Sequence, residues 1–551
     1  MSESSKKQNF LHGAALLALA TAVVKVIGAL YKLPLKEVIG FDGYSYFMTA
    51  YDIYAVLLMI STVGLPVAMS KMISQASALG NYKQVRQIYK ISRAIFLGLG
   101  IASTAFMMIG CKWLAEAMNQ PNATASILVL GPCALLMGII STYRGFFQGQ
   151  GDMRPTSNSQ MLEAVFKLLV GLAAAFLIMK TTGRVDLAAG GAILGVTVSC
   201  LLSVFYLRSK LVPAYREMPA DQGTALSAKE TAKQLLAIAV PITIGAAGLQ
   251  LLTVFENAVY MDRIVYLMGS GQYMQDMVAA EGGAQTAADN LKGIYNMSQT
   301  IFNMPCAFIL PITVSVIPAI SSKLTLAEHE DVRKTEESAA RITGLLSLPC
   351  SVGLLLLAEP VMSLLANCEG QQLVLGGQLM ATLGIAIFFY AIIQYTNALL
   401  QSHGYAHVPV INMLACGVVR LAVVYLLSGN PNLGILGVPM GGLGCYVCIA
   451  ALNLICIRKL VPQRPKLLGN LLRSAPSAVI MGAAAYGTYF LMTQFLGLTT
   501  ASRAHSILLC GAPILVGAVV YFVCVCLTKA ITREDCLLLP KGQKIADLLH
   551  L

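Results

Sequence analysis

Apolar runs of 18 or more residues recur along nearly the whole of this 551-residue chain. Each run is long enough to cross about 30 Å of hydrocarbon as a helix. Only 12% of the residues are charged, against roughly 25% in soluble domains. No polar stretch is long enough to form a separate soluble domain. The sequence therefore predicts an all-α integral membrane protein with about fourteen transmembrane helices.

The predicted spans alternate with short polar connections. They lie near residues 10–30, 44–68, 91–111, 123–143, 156–179, 187–207, 234–261, 293–318, 342–364, 372–397, 410–427, 437–457, 474–494 and 505–528. Prolines are expected to shape two of these helices. Pro241 is expected to open the seventh, and Pro305, Pro311 and Pro318 to interrupt the eighth, either as static kinks or as points of movement.

Basic residues are concentrated in alternate connections and define a membrane orientation. The rich segments are 69–93, 208–233, 319–341, 458–473 and the tail from Lys529. With the N-terminal lysines and with Arg144 and Arg154, one side carries 27 basic residues and the other only eight. Basic loops remain in the cytoplasm, so both termini are expected there in a multi-pass protein of the cytoplasmic membrane. The net charge of +12 is then a topology signal and a contact for anionic lipid, not a nucleic-acid footprint.

Short motifs recur at a spacing of about 250 residues and suggest a duplicated six-helix unit. The run 148–151 is followed by a lysine in helix 5, and the run 401–404 is followed by an arginine in helix 11 at the same spacing. The spacing spans an even number of helices, which predicts two parallel repeats around a central cavity, as in transporters. The expected segments are an N-terminal lobe (1–207), a cytoplasmic linker (208–233), a C-terminal lobe (234–457), and helices 13 and 14 with a cytoplasmic tail (458–551).

Catalytic and metal-binding patterns are not found in the sequence. The six histidines form no ligand pattern, and Cys445 and Cys448 form a lone C-x-x-C on a membrane helix, where packing thiols are expected. The chain is therefore expected to be no enzyme, to need no metal or cofactor and to bind no nucleic acid.

Charged residues inside the predicted spans are the main candidates for function, because a charge in hydrocarbon is costly unless it is paired or hydrated. Lys25 lies about 24 Å along helix 1 from its cytoplasmic end. Lys32 follows it, and Asp52 lies about 12 Å into helix 2 from the outer side. Glu256 and the adjacent Asn257 lie toward the outer end of helix 7. The carboxylates are candidates for salt bridges, proton transfer or cavity lining.

Two cations occupy matching places in the two predicted repeats. Lys167 lies near the middle of helix 5, and Arg420 near the middle of helix 11. Glu163 lies one turn before Lys167, so a local i,i+4 ion pair is expected between them. Arg420 has no acid nearby in sequence, which favours exposure to a cavity.

Two glycine-containing turns are predicted at the ends of helices 4 and 10. Arg144 with Gln148 and Gly151 forms either a cytoplasmic gate or a tight turn, and the turn is favoured. Gln401 and Gly404 are the corresponding residues in the second half.

Several motifs resemble the stage V sporulation protein B family, relatives of lipid II flippases in the MOP (MATE-like) exporter superfamily. They are VKVIG at 24–28, YKLPL at 31–35, STVGLPVAMSK at 61–71, YRGFFQGQG at 143–151 with Pro155, and PITIG at 241–245. The resemblance implies fourteen helices, a central V-shaped cavity and transport of lipid-linked sugars across the bacterial cytoplasmic membrane. The chain departs from these flippases in lacking an arginine on helix 8.

These observations favour a flippase that moves a lipid-linked oligosaccharide or peptidoglycan precursor to the outer leaflet by alternating access. Lys25 and Arg420 are the expected phosphate contacts, with Lys32 and Lys167 secondary. The alternatives are a cation-coupled multidrug exporter of the same fold and a non-transporting scaffold in cell-wall or spore assembly. Expected partners are a polyprenyl diphosphate glycan, membrane lipids and proteins of cell-wall synthesis.

Overall fold

The computed structural model is helical throughout the part of the chain that it describes. That part contains α-helices and two short 3-10 helices and no β-strand. It comprises residues 3–62, 64–219, 223–325, 329–462, 465–499, 503–528 and 530–532.

Eight helices cover the first half of the chain. They are α1 (Glu3–Thr62), α2 (Gly64–Ala78), α3 (Tyr82–Ile109), α4 (Cys111–Ala117), α5 (Thr124–Gly149), α6 (Arg154–Thr182), α7 (Val185–Arg216) and α8 (Ala228–Gly269). Ten more follow in the second half. They are α9 (Gln275–Ala280), α10 (Ala284–Thr325), α11 (His329–Leu356), α12 (Ala358–Ala366), α13 (Gly370–Ser402), α14 (His407–Ser428), α15 (Gly437–Leu460), α16 (Leu467–Leu471), α17 (Ala475–Phe495) and α18 (Arg503–Leu527).

The first two predicted spans lie in α1, which consists of two helices that meet at a kink. The kink is at Gly40, where φ is 71° and ψ is −177°. A positive φ is a conformation that glycine adopts easily and other residues rarely. The change of direction therefore falls inside the expected connection 31–43, but the connection is shorter than expected. Lys32 lies within a helix, and the change of direction takes place at a single residue.

The prolines do not break their helices where the sequence suggested. α8 begins at Ala228, with Ser227 capping the N–H of Glu230, so Pro241 lies inside α8 rather than opening it. α10 runs without a break from Ala284 to Thr325, through all three prolines that were expected to interrupt it.

Eleven segments among the described residues are long and apolar enough to cross a membrane. One of them, Leu30–Ala78, joins the second part of α1 to α2. The all-α membrane architecture is thus confirmed, whereas the number fourteen stays a prediction.

The helices form two compact units, Met1–Gly293 and Ile294–Leu551. In the first unit α6 packs along α7, α5 packs against α3 and α7, and α8 packs against α1, α2 and α3. In the second unit α11 and α15 flank α13, while α17 pairs with α18. The boundary between the units falls inside α10. The four segments expected from the sequence stay a prediction.

Candidate functional site

A buried polar network occupies the interior of the first unit, around a lysine of α10. The Nζ of Lys292 donates to Thr49 Oγ1 at 2.7 Å and to Gln120 Oε1 at 3.2 Å. Gln120 Nε2 donates in turn to Asp289 Oδ1 at 2.8 Å. The side chains of Lys292, Thr49, Gln120 and Asp289 are all fully buried. A buried ammonium needs opposite charge and several acceptors, and this network supplies both.

Asp52 connects this network to the cations of α1. The charge of Asp52 acts on Lys292 and also on Lys32. Its Oδ2 accepts a hydrogen bond from Asn257 Nδ2 of α8 at 2.7 Å. Asn257 and the adjacent Glu256 are buried, while Asp52 is half-buried. We refer to Lys292, Thr49, Gln120, Asp289 and Asp52 as the Lys292 network.

Two half-buried lysines of the first unit lie near each other. Lys32 of α1 and Lys167 of α6 are close enough to repel each other electrostatically. Lys167 Nζ lies 5.9 Å from the ring centre of Tyr31 and 5.8 Å from that of Tyr51. Tyr31 is held in place because its hydroxyl donates to the Ala192 carbonyl at 3.1 Å. Aromatic faces within about 6 Å stabilise a cation without neutralising it.

Glu163 does not form the local ion pair expected from its spacing. In the described part of the chain its carboxylate pairs with Arg144 Nη2 of α5 at 2.7 Å, not with Lys167. Arg144 Nε also donates to Ser159 Oγ at 2.9 Å. Arg144 is therefore fixed within a helix–helix contact, one turn before the predicted turn. Arg144 and Glu163, with Lys167 and Tyr51, line a cavity of about 320 Å³ inside the first unit.

The two glycine-containing turns close in the same way. At the end of α5 the Gly151 N–H donates to the Gln148 carbonyl at 3.0 Å, and the φ of Gly151 is 82°. At the end of α13 the Gly404 N–H donates to the Gln401 carbonyl at 3.0 Å, and the φ of Gly404 is 86°. Both segments are tight turns in which glycine takes the left-handed conformation.

The predicted cations of the two halves occupy the same ordinal position in their helices. Lys167 is the fourteenth residue of α6, and Arg420 is the fourteenth residue of α14. The Arg420 guanidinium lies 6.0 Å from the Tyr446 ring centre, so each cation of the pair faces an aromatic ring. The side chain of Lys25 lies outside the described part of the chain; its backbone belongs to α1.

Sequence reasoning missed Thr49, Gln120, Asp289 and Lys292. Lys292 immediately precedes the predicted span 293–318, so the sequence predicts a connection there. In the structure α10 begins at Ala284, eight residues before Lys292, and Lys292 is buried. The available signal was the spacing of Asp289 and Lys292, three residues apart and thus on one helical face. Gln120 lies between short elements and carries no such signal.

Burial also affects a carboxyl group in the connection just before α10. Loss of solvent, with the charge of Asp42 nearby, raises the pKa of the Glu281 carboxyl above its ordinary value. Glu281 Oε1 accepts a hydrogen bond from Asn290 Nδ2 at 3.1 Å, which fixes this connection to α10 beside the Lys292 network.

A family model described as "Polysaccharide biosynthesis protein" matches residues 10–324, and a second model of the same description matches residues 284–368. Three relatives come from Bacillus subtilis. The uncharacterized membrane protein YabM is 27% identical over 99% of this chain and 97% of its own. Stage V sporulation protein B is 25% identical over 83% and 85%, and the lipid II flippase MurJ is 22% identical over 75% and 76%.

Solved structures share the fold. A lipid II flippase MurJ in an inward closed conformation covers 95% of this chain and 100% of its own, with a TM-score of 0.66 and 13% identity. An inward-facing MATE multidrug transporter of the MOP superfamily covers 80% and 99%, with a TM-score of 0.58 and 18% identity.

Proposed function

The chain belongs to the polysaccharide biosynthesis protein family, and we propose that it is a membrane transporter of the MOP superfamily that flips a lipid-linked glycan from the inner to the outer leaflet. The relatives named as a lipid II flippase and as a sporulation protein support this class of cargo. The cargo would be an oligosaccharide or peptidoglycan precursor on a polyprenyl diphosphate.

The main observation in support of this proposal is the excess of positive charge around Asp52. Lys32 and Lys167 are half-buried in spanning helices and repel each other. Asp52, the acid whose charge acts on Lys32, is shared with Lys292 and bonded to Asn257. Since uncompensated cations in a membrane are costly, an anionic ligand would stabilise them. A diphosphate is such a ligand, and hydrogen bonds from lysine would replace part of its lost hydration.

The proposed movement is alternating access, in which the headgroup passes through a hydrated cavity while the lipid tail stays in hydrocarbon. Lys25 is seven residues before Lys32, a spacing that returns to the same face of a helix. We therefore retain Lys25 as a phosphate contact, with Arg420 as the contact from the second half. No covalent bond is made or broken in this proposal.

Orientation and partners complete the proposal. Both termini lie in the cytoplasm, because the basic connections are on that side. The partners are the lipid-linked glycan, membrane lipids and proteins of cell-wall synthesis.

The test is transport of a fluorescent polyprenyl diphosphate disaccharide in proteoliposomes. Lys32→Ala and Lys167→Ala should each slow flipping by about 10- to 100-fold, as expected for loss of a charged hydrogen bond. Lys32→Arg and Lys167→Arg should retain part of the rate. Lys180→Ala, at the exposed end of the same α6, is the matched control. Wild-type rates in both alanine variants would contradict the proposal.

Lys25 is tested in cells. Lys25→Ala should abolish complementation of a flippase-deficient strain at a normal protein level, while Lys25→Arg should keep part of it. Loss of the alanine variant from the membrane would indicate a structural role instead. Full complementation by the alanine variant would exclude a role for Lys25.

A cation-coupled multidrug exporter is the second candidate, and the acids of the first unit favour it. Asp289 bonds Gln120, Asp52 bonds Asn257, and Glu256 is buried beside Asn257; such acids could bind protons or cationic drugs. Uptake of a cationic dye driven by a proton gradient, abolished in Asp52→Asn and unaffected in Lys32→Ala, would favour the exporter.

A further inference from the structure

A pocket of about 600 Å³ lies in the second unit where the spanning helix α15 ends. One wall comes from the last turns of α15, with Leu454, Ile457 and Arg458, and the other from the start of α16, with Lys466, Leu467 and Leu468. The pocket thus combines two cationic side chains with four apolar ones.

The wall formed by α16 is held firmly against α11. The Lys466 N–H donates to Glu337 Oε1 at 3.1 Å, and the Lys466 carbonyl accepts from Asn470 Nδ2 at 2.7 Å. Arg341 Nη1 donates to Asn470 Oδ1 at 3.1 Å. Leu467 is buried in the core of this unit, so the position of the neighbouring Lys466 is set by the fold.

The contacts just described do not involve the charged groups of Arg458 and Lys466. Glu337 bonds the backbone of Lys466 rather than its ammonium group. Both Arg458 and Lys466 are exposed, and Leu468 beside them remains 43% exposed. The connection 458–473 carries five basic residues and no acid. An exposed leucine next to exposed cations at a membrane boundary suits a ligand with both an anionic and an apolar part.

We propose that this pocket binds one anionic phospholipid, with its phosphate against Arg458 and Lys466 and its upper acyl chain against Leu454, Ile457 and Leu468. The site is distinct from the residues proposed for transport, since the lining of the pocket contains none of Lys25, Lys32, Lys167 and Arg420. The occupant is a resident lipid rather than cargo, because it is recognised by its phosphate and acyl chain where the helix ends.

The experiment is native mass spectrometry of the full chain in detergent, titrated with phosphatidylglycerol or with phosphatidylcholine. We expect one phosphatidylglycerol to bind more tightly than phosphatidylcholine. The variant Arg458→Gln/Lys466→Gln should weaken phosphatidylglycerol binding about 30-fold, since each basic residue near an anionic lipid contributes roughly 1 kcal/mol. Leu468→Ser should also weaken it, because the acyl contact is lost.

Lys459→Gln is the matched control, because Lys459 is an exposed basic neighbour that does not line the pocket. It should leave affinity for phosphatidylglycerol within about twofold. Unchanged binding in the double variant, or equal binding of phosphatidylcholine, would overturn the proposal. So would competition by inorganic phosphate together with no effect of Leu468→Ser, which would identify a free-phosphate site instead.

Discussion

At the scale of single residues, Lys292 is the most constrained charge in the described part of the first unit. Its ammonium group is fully buried, bonded to Thr49 and Gln120, and within reach of the charges of Asp52 and Asp289. Removing one partner from a buried ionic group leaves the others desolvated and unpaired. The network is thus expected to stabilise the association of α10 with α1.

Lys292→Met keeps most of the side-chain volume and removes the charge. It should lower the free energy of unfolding by about 3–5 kcal/mol, because the buried Asp289 and the half-buried Asp52 lose their counter-charge. Thermal unfolding of the purified protein in detergent measures this. Lys180→Met, at an exposed position, is the control and should change little.

A second variant separates charge from packing. Lys292→Met/Asp289→Asn should recover part of the lost stability, because the buried negative charge at Asp289 is removed as well. If the Lys292→Met protein were as stable as the wild type, Lys292 could not be the counter-charge that stabilises Asp52 and Asp289.

The sequence could predict several of the charged residues that belong to this site. It could not predict which partners they contact where tertiary packing determines the contact. Asp52 and Lys167 stand out because they are charges in apolar runs, and Lys32 because it follows directly after the first run. The pairing of Glu163 could not be foreseen, because the i,i+4 neighbour Lys167 competes with Arg144 on another helix, and packing of α5 against α6 brings the arginine closer. Burial of Lys292 likewise arises from contacts between residues more than 170 positions apart.

At the scale of helices, hydrophobic runs predicted most spans. The prediction was wrong where polar side chains lie within a helix rather than in a connection. Residues 31–43 contain Lys32, Lys36 and Glu37, which suggested a connection. Lys36 is buried and Lys32 is half-buried, whereas Glu37 is exposed on the helix surface, and the helix continues to Gly40. Polarity marks a helix end only if the polar side chains must reach water.

Close packing of α6 on α7 depends on a small residue at Gly195, because small residues let helix backbones approach closely. A Cβ at Gly195 would lie 2.3 Å from the backbone nitrogen of Gly171. Gly195→Ala should therefore push these helices apart and lower the free energy of unfolding by about 1–3 kcal/mol.

Gly98→Ala in α3 is the control, because no atom lies within 4 Å of an added Cβ there. It should be neutral or slightly stabilising, since alanine favours the helix. Both are measured by thermal unfolding. Equal stability of the two variants would show that α6 and α7 adjust without strain.

At the scale of the whole molecule, the distribution of basic residues predicts the orientation of every helix. A topology with 27 basic residues on one side and eight on the other is strongly biased toward keeping the basic side in the cytoplasm. The two positions best suited to a test are Lys83, exposed in the basic segment 69–93, and Asn430, exposed in the connection between α14 and α15. The prediction places them on opposite sides of the membrane.

Cysteine labelling in whole cells tests this orientation. With a membrane-impermeant maleimide, Asn430→Cys should be labelled in intact cells, because its connection faces outward. Lys83→Cys should be labelled only after permeabilisation. The parent protein, with its fourteen native cysteines, supplies the background for both. Strong labelling of Lys83→Cys in intact cells would invert the whole topology. It would also move both termini and the lipid pocket at the end of α15 to the outer face, because every connection alternates from the same starting side.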